Sequence, residues 1–283
     1  MSTVDTVRVA CQQIAPVVGD LEGNRRLTSE AIAEAVAVGA QVVVLPELAT
    51  SGYVFDSAEE ARSCAEPPDG PTLRSWSHAL AGCDAVAIGG FCELAEEGVL
   101  YNSAALVDAT GVVAVYRKIH LWDREKLFFE PGSDCAPVVE TPFGRIGVQV
   151  CYDLNFPEVA RGLALAGADL IVLPTNSPRF PRPDGERPME IVLAMASAHL
   201  NHVFFAMCDR CGHERGVEWV GGSVVCDEWG WILAGPPEGF GAGLVLADCD
   251  LPRARTKAWN ERNDVLGDRR PELYVLGEPT PAA

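Results

Sequence analysis

Arg145-Ile-Gly-Val-Gln-Val-Cys151 runs without a break into Tyr152-Asp-Leu-Asn-Phe-Pro-Glu158, and this stretch decides how the chain reads. Its first half is a short apolar run of the kind that becomes a buried strand. Its second half opens a helix: Asp153 or Asn155 is placed to cap it, and Pro157 suits the first turn, where a missing N–H is harmless. Cys151 therefore falls at a strand-to-helix junction. A thiol beside a helix N-terminus sees partial positive charge, which favours the attacking thiolate. Position alone does not separate such a cysteine from a buried, inert one.

Outward from that junction, β-rich runs alternate with helical patterns from end to end. Strands are predicted at Val7–Ile14, Gln41–Glu47, Asp84–Cys92, Asn102–Val107, Val112–Lys118, Arg145–Cys151, Asp169–Pro174, Val203–Cys208, Gly222–Cys226 and Gly243–Cys249. Helices are predicted at Asn24–Ala37, Thr72–Leu80, Pro157–Ala166 and Met189–Asn201, each with an apolar stripe near a period of 3.6. Such alternation is that of a layered α/β protein. No linker or composition break divides the 283 residues, so a single domain spanning 1–283 is expected, and no repeat is evident by eye. Loops are marked by proline and glycine at Pro67–Pro71, Ser177–Pro188 and Pro236–Gly241; the second is the longest and is a candidate border of the site.

Forty acidic against 22 basic residues give a net charge of −18, which would repel a phosphate backbone, so nucleic acid is not an expected partner. Apolar runs such as Val42–Leu45 are too short to cross a bilayer, and the N-terminal residues carry no basic-then-apolar export pattern. Ten scattered cysteines, most within strand-like runs, read as reduced thiols. A cytoplasmic location is the expectation.

Two other strand ends carry chemistry. The run Gln41–Leu45 delivers Pro46-Glu47, a carboxylate whose partial burial would raise its pKa toward that of a general base or acid. Val112–Tyr116 ends in Arg117-Lys118, and a buried lysine can hold an oxyanion. Alone, each reads as well as a solvated strand-end charge.

Together the three segments Leu45-Pro46-Glu47-Leu48, Tyr116-Arg117-Lys118-Ile119-His120-Leu121 and Val150-Cys151-Tyr152-Asp153 resemble the nitrilase (carbon–nitrogen hydrolase) superfamily, whose members carry Glu, Lys and Cys at three strand ends in this order. Further matches lie at Asp123–Gly132, Ala168–Asn176, Asp209–Gly216 and Asn260–Tyr274, so the resemblance spans nearly the whole chain. It implies a four-layer α-β-β-α sandwich, subunits pairing into a homodimer or larger homo-oligomer, and a second glutamate after the lysine, best matched by Glu125, with Glu130 next. It also implies catalysis by Glu47, Lys118, Cys151 and Glu125, with the Tyr152 N–H as oxyanion donor and without metal or organic cofactor. The substrate would be a small molecule with a non-peptide C–N bond. Cys151-Tyr152-Asp153 is similar to amidase-type members, which places a small aliphatic or ω-amide ahead of an N-carbamoyl compound or a nitrile. Asn155 stands where many ω-amidase-like members have Arg.

Trp122, Phe129 and Asn176 are candidate substrate contacts, each equally readable as packing or turn capping. Arg179 or Arg187 could meet an acidic substrate group. Two readings from other classes compete: Cys208-Asp-Arg-Cys211, with His213 and Cys226, suggests part of a zinc site, and a catalytically silent interaction module would share the fold. The polar segment 251–283 is a C-terminal extension that could contact a partner subunit.

Overall fold

The structure is a computed structural model that describes residues 6–274. Two six-stranded sheets form its centre. The first contains β1 (Val7–Gln13), β2 (Val42–Val44), β3 (Val86–Leu94), β4 (Leu100–Asp108) and β5 (Gly111–Arg117). The second contains β6 (Val138–Thr141), β7 (Gly144–Val148), β8 (Leu170–Thr175) and β9 (Phe204–Asp209). After the short hairpin β10 (His213–Glu214) and β11 (Val217–Glu218), the second sheet gains β12 (Val224–Cys226) and β13 (Ile232–Ala234), whereas β14 (Gly243–Cys249) returns to the edge of the first. The helices are α1 (Leu21–Ala37), α2 (Ala58–Ser63), α3 (Pro71–Ala79), α4 (Pro157–Leu165) and α5 (Met189–Asn201).

Side-chain alternation explains the layering, because neighbouring residues of a strand face opposite sides. On β1, Val9 and Cys11 enter a core between the sheets, while Ala10 faces α1 and α3. On β8, Leu170 and Val172 enter that same inter-sheet core, while Ile171 and Leu173 face α4 and α5. Three apolar cores thus separate four layers in the order helices, sheet, sheet, helices. Each fully buried aliphatic side chain in them contributes about 1.5–3 kcal/mol. Trp76 of α3 donates from its indole N–H to Thr28 Oγ1 of α1 at 2.8 Å, which satisfies the one polar atom of a fully buried side chain.

The sheets repeat one another. From β14 to β5, neighbouring strands pair antiparallel, parallel, parallel, antiparallel, antiparallel, and from β6 to β13 the pattern is identical. The sequence carries a trace of this: Gly39-Ala-Gln-Val-Val-Val-Leu-Pro46 leads into and along β2, and Gly167-Ala-Asp-Leu-Ile-Val-Leu-Pro174 along β8. Gly39 and Gly167 both take left-handed φ, at 88° and 92°, and each lies under the guanidinium of an arginine on the preceding strand, Arg8 or Arg145. A repeat therefore exists where none was evident from the residues alone. It is degenerate outside one strand and its entry turn.

Most predicted elements are found within two or three residues of their expected ends, and α5 coincides with its prediction. The expected cap of α4 does not form. Phe156 is the N-cap and makes no side-chain capping bond, because Asp153 is turned inward to other partners. No helix among the described residues is long and apolar enough to cross a membrane. Residues 275–283 of the expected C-terminal extension lie outside the described residues. Its beginning is tied to its own chain through Arg253–Glu228 and Arg255–Asp169 ion pairs.

Candidate active site

Glu47 follows β2, Lys118 follows β5 and Cys151 follows β7, so two of the groups leave the first sheet and one the second. The strand exits bring them to one end of the molecule. The Lys118 ammonium, fully buried, donates to Glu47 Oε1 at 2.7 Å and to Glu125 Oε1 at 2.8 Å. Glu47 Oε1 also accepts from Asn102 Nδ2 at 2.7 Å, and Glu47 Oε2 accepts from the Asn176 N–H at 3.1 Å. Glu125 is further held by the Tyr53 hydroxyl and by the Trp122 N–H at 3.2 Å. Glu130, the alternative for the second glutamate, is exposed to solvent.

Cys151 is joined to this group through Asn176: the thiol donates to the Asn176 carbonyl at 3.9 Å, while the Asn176 N–H serves Glu47. The cysteine opens a single 3-10 turn, Cys151–Asn155, with φ of 44°. A non-glycine residue in that region is strained by about 1–3 kcal/mol and stays there only when its surroundings fix it. Asp153 does the fixing. Fully buried, it accepts from the Val150 N–H at 2.9 Å and the Tyr116 hydroxyl at 2.8 Å, and it pairs with His120 Nδ1 at 2.8 Å. Tyr152 is the second residue of the turn, where a helical N–H has no intrahelical acceptor.

Close packing sets Glu47 from the other side. A Cβ on Gly90 would stand 2.3 Å from Leu48 N and 2.5 Å from Glu47 Cα, so only glycine lets β3 lie against the Glu47 turn. Leu48 itself takes φ of 45°.

The charges in this group are strongly perturbed. Burial raises the Glu47 pKa, and Glu125 adds to the rise while Lys118 and Asn102 oppose it. Burial works against the Lys118 ammonium, but Glu125 and Glu47 outweigh it and hold the pKa well above its ordinary value. The Cys151 thiol is raised well above its usual range, first by burial and then by the Glu47 charge. This corrects the expectation of a helix-stabilised thiolate. Burial and the charges of Glu47 and Glu125 oppose the thiolate more strongly than the end of a short 3-10 turn favours it.

A cavity of about 250 Å3 opens onto Cys151, walled by Trp122, Tyr152, Thr175, Pro178, Phe180 and Glu190 among others. Trp122 meets Tyr152 edge-to-face at 4.8 Å and also borders a smaller cavity of about 130 Å3 beside Glu125. Two expected contacts are placed elsewhere. Phe129 packs against Phe55 and lines only the smaller cavity. Asn176 lines neither; its Nδ2 donates to the Glu47 carbonyl at 2.9 Å, so it braces the loop beneath. Arg179 and Arg187 line a neighbouring open groove, not the Cys151 cavity, and Arg179 is paired with Glu218 at 3.0 Å. Ser177–Pro188 does border the site, through Ser177, Pro178 and Phe180.

Asn102 and Tyr53 were not singled out from sequence. An asparagine opening an otherwise apolar strand run was the available signal for the first. Nothing local marks Tyr53. The suggested zinc ligands do not converge: Cys208 enters the inter-sheet core, Cys226 the core beneath α4 and α5, and His213 is exposed. Successive faces of one sheet send them apart.

A carbon-nitrogen hydrolase family model matches residues 8–258, and the chain belongs to that family. A curated relative named nitrilase, from Pyrococcus abyssi, is 37% identical over 95% of this chain and 99% of its own length. An (R)-stereoselective amidase from a Pseudomonas species is 33% identical, over 97% of this chain and 94% of its own. Among solved structures, a mutant of the amidase from Nesterenkonia sp. AN1 shows covalent addition of the acetamide moiety of fluoroacetamide at its active-site cysteine. It has a TM-score of 0.77 and 30% identity, covering 94% of this chain and 95% of that one.

Proposed function

We propose that this chain is a cysteine-dependent amidase that converts a small aliphatic or ω-amide into a carboxylic acid and ammonia through a thioester. One observation carries the reading: a buried Glu47–Lys118–Glu125 group linked through Asn176 to a strained cysteine at the floor of a small cavity.

Glu47 takes the Cys151 proton as the sulfur attacks the amide carbon, which suits a thiol and a carboxylate whose pKa values are both raised. Lys118 and the Tyr152 N–H hold the resulting oxyanion. Collapse breaks the C–N bond, and the proton on Glu47 passes to the departing nitrogen, leaving ammonia and a thioester. A water loses a proton to Glu47 as it attacks the thioester; the C–S bond then breaks, and the sulfur recovers that proton. Glu125, with Tyr53, keeps the Lys118 ammonium in place throughout.

Mass spectrometry tests the reading. Enzyme mixed with an amide is expected to carry an acyl group on Cys151 alone, and Cys151→Ala is expected to release no ammonia. Turnover by that variant, or an adduct on exposed Cys135, would overturn it. Acid formed from a nitrile but not from its amide would favour a nitrilase instead, the activity for which the Pyrococcus abyssi relative is named.

The proposal extends to one catalytic domain acting as a homodimer in the cytoplasm. Support for pairing comes from the outer helical layer, where Leu165, Val192, Leu200, Trp231 and Trp259 are exposed on or beside α4 and α5. Apolar clusters of this kind mark protein contacts. Residues 251–274 lie along the same side, with Trp259 against His199 at 4.9 Å, and are proposed to join that contact.

A further inference from the structure

Among the described residues, Glu190 is the one charged side chain in the walls of the Cys151 cavity. It stands in the first turn of α5, half-buried at the mouth with Phe180 and Met189. No hydrogen bond or ion pair to its carboxylate is found among the described residues. Among the described residues no loop arginine forms an ion pair with it, although Arg182 and Arg187 line the adjoining groove that it borders. Arg179 is engaged with Glu218, Arg182 lies over the Phe240 ring, and Arg187 points to Met195 Sδ at 3.3 Å. Glu190 stands close enough to the buried Asp209, paired in register with Thr175 on the cavity wall, to add to the rise in that carboxyl's pKa, and it also borders an adjoining groove under the loop.

Most of the remaining wall is apolar or aromatic, from Trp122, Leu154, Pro178, Phe180 and Met189, with the uncharged polar Asn155, Thr175 and Ser177 between them. At about 250 Å3 the space lies below the range of about 300–1,000 Å3 occupied by drug-sized ligands. It fits a short acyl chain. A largely apolar cavity that holds both a nucleophile and an unpaired carboxylate is complementary to an alkyl chain ending in a cation. An anionic chain end would be repelled by Glu190, with no cationic side chain among the described residues of the lining to offset it.

We propose that Glu190 sets substrate class: the acyl group accepted by Cys151 is a short aliphatic chain ending in an ammonium or guanidinium, and carboxylate-tailed amides are refused. This rests on the amidase reading above. Aromatic Trp122 and Phe180 at the rim add a surface favourable to an organic cation.

Three length-matched amides test it by ammonia release: 5-aminopentanamide, hexanamide and 4-carbamoylbutanoate, with the native enzyme and Glu190→Gln. The native enzyme is expected to rank them cationic, neutral, anionic by kcat/KM. In Glu190→Gln the cationic-to-neutral ratio is expected to fall about tenfold, the scale of one charge-assisted hydrogen bond. Glu190→Lys is expected to raise the anionic-to-neutral ratio. Because each readout is a ratio within one preparation, partial misfolding does not mimic it. An unchanged ratio in Glu190→Gln, or native preference for the carboxylate, would overturn the proposal. If none of the three is hydrolysed the amidase reading fails. The charge preference is then read separately from the rate at which Cys151 is alkylated by a cationic against a neutral iodoacetamide, where equal rates would refute it.

Discussion

Replacing Lys118 by methionine keeps the length of a fully buried side chain but removes the charge that both Glu47 and Glu125 grip, at 2.7 and 2.8 Å. Two buried carboxylates then face each other across the space the ammonium filled. At about 5 Å and an effective dielectric of about 20, like charges repel by about 3 kcal/mol, and breaking a buried ion pair by removing one partner costs about 3–5 kcal/mol. Against a total stability of about 5–15 kcal/mol the loss is large but survivable. It corresponds to a melting temperature lower by about 5–10 °C near pH 7.5. The penalty has a pH signature. Without Lys118 at least one carboxylate has a folded pKa raised above its unfolded value, so its contribution is intact below the unfolded pKa and declines as pH climbs through the folded one. Acidification toward pH 5 should therefore close much of the gap between variant and native protein. Calorimetry at pH 5 and 7.5 measures this, and ammonia release measures the accompanying loss of turnover, about 100- to 1000-fold for one oxyanion donor. An equal gap at both pH values, or an unchanged melting temperature, would refute the electrostatic account of the site.

Two further expectations concern how Glu47 is held. Gly90→Ala forces a Cβ to within 2.3 Å of Leu48 N, so the Glu47 turn must shift; a loss of about 1–3 kcal/mol with turnover down by at least about 100-fold is expected, and near-native kcat would show that the turn is not so constrained. Asn102→Leu removes a 2.7 Å donor that lowers the Glu47 pKa, so the acid limb of the kcat/KM profile should move to higher pH; a limb that stays put or moves down counts against Glu47 as the base.

Much of this was legible in the residues. The strand exits at Glu47, Lys118 and Cys151 could be read because an apolar run followed at once by a lone polar group is a local pattern, and the family resemblance joined three such patterns into one site. What could not be read was set by long-range geometry. The roles of Asn102, Tyr53 and Asn176 depend on which strands become neighbours, a property that no window of sequence carries. The Cys151 thiol is a related case: the helix-end effect is local and visible, whereas the Glu47 charge that raises its pKa comes from a segment about a hundred residues away. Capping of α4 failed in the same way, since Asp153 satisfies the requirements of any N-cap but finds Tyr116 and His120 within reach instead.

The duplicated frame explains why the site straddles the sheets. Equivalent strand exits carry different residues: Glu47 follows the proline that ends the β2 run, and Thr175 follows the matching proline on β8. Counted from Arg8 and Arg145, the place of Cys151 after β7 is taken by Ile14 after β1. Lys118 follows β5, and Gly235 follows β13. Each half therefore offers the same three exits, but the first half equips two with a base and a cation and the second equips one with a nucleophile. Neither set is sufficient for acyl transfer. Their juxtaposition depends on the inter-sheet core, in which Val9, Val44, Val148 and Val172 meet, holding one sheet in fixed position against the other. Close-packed interiors resist displacement of even a fraction of a side chain. That rigidity makes the thiol, its base and its oxyanion donor one site, although they arise from two separate sheets.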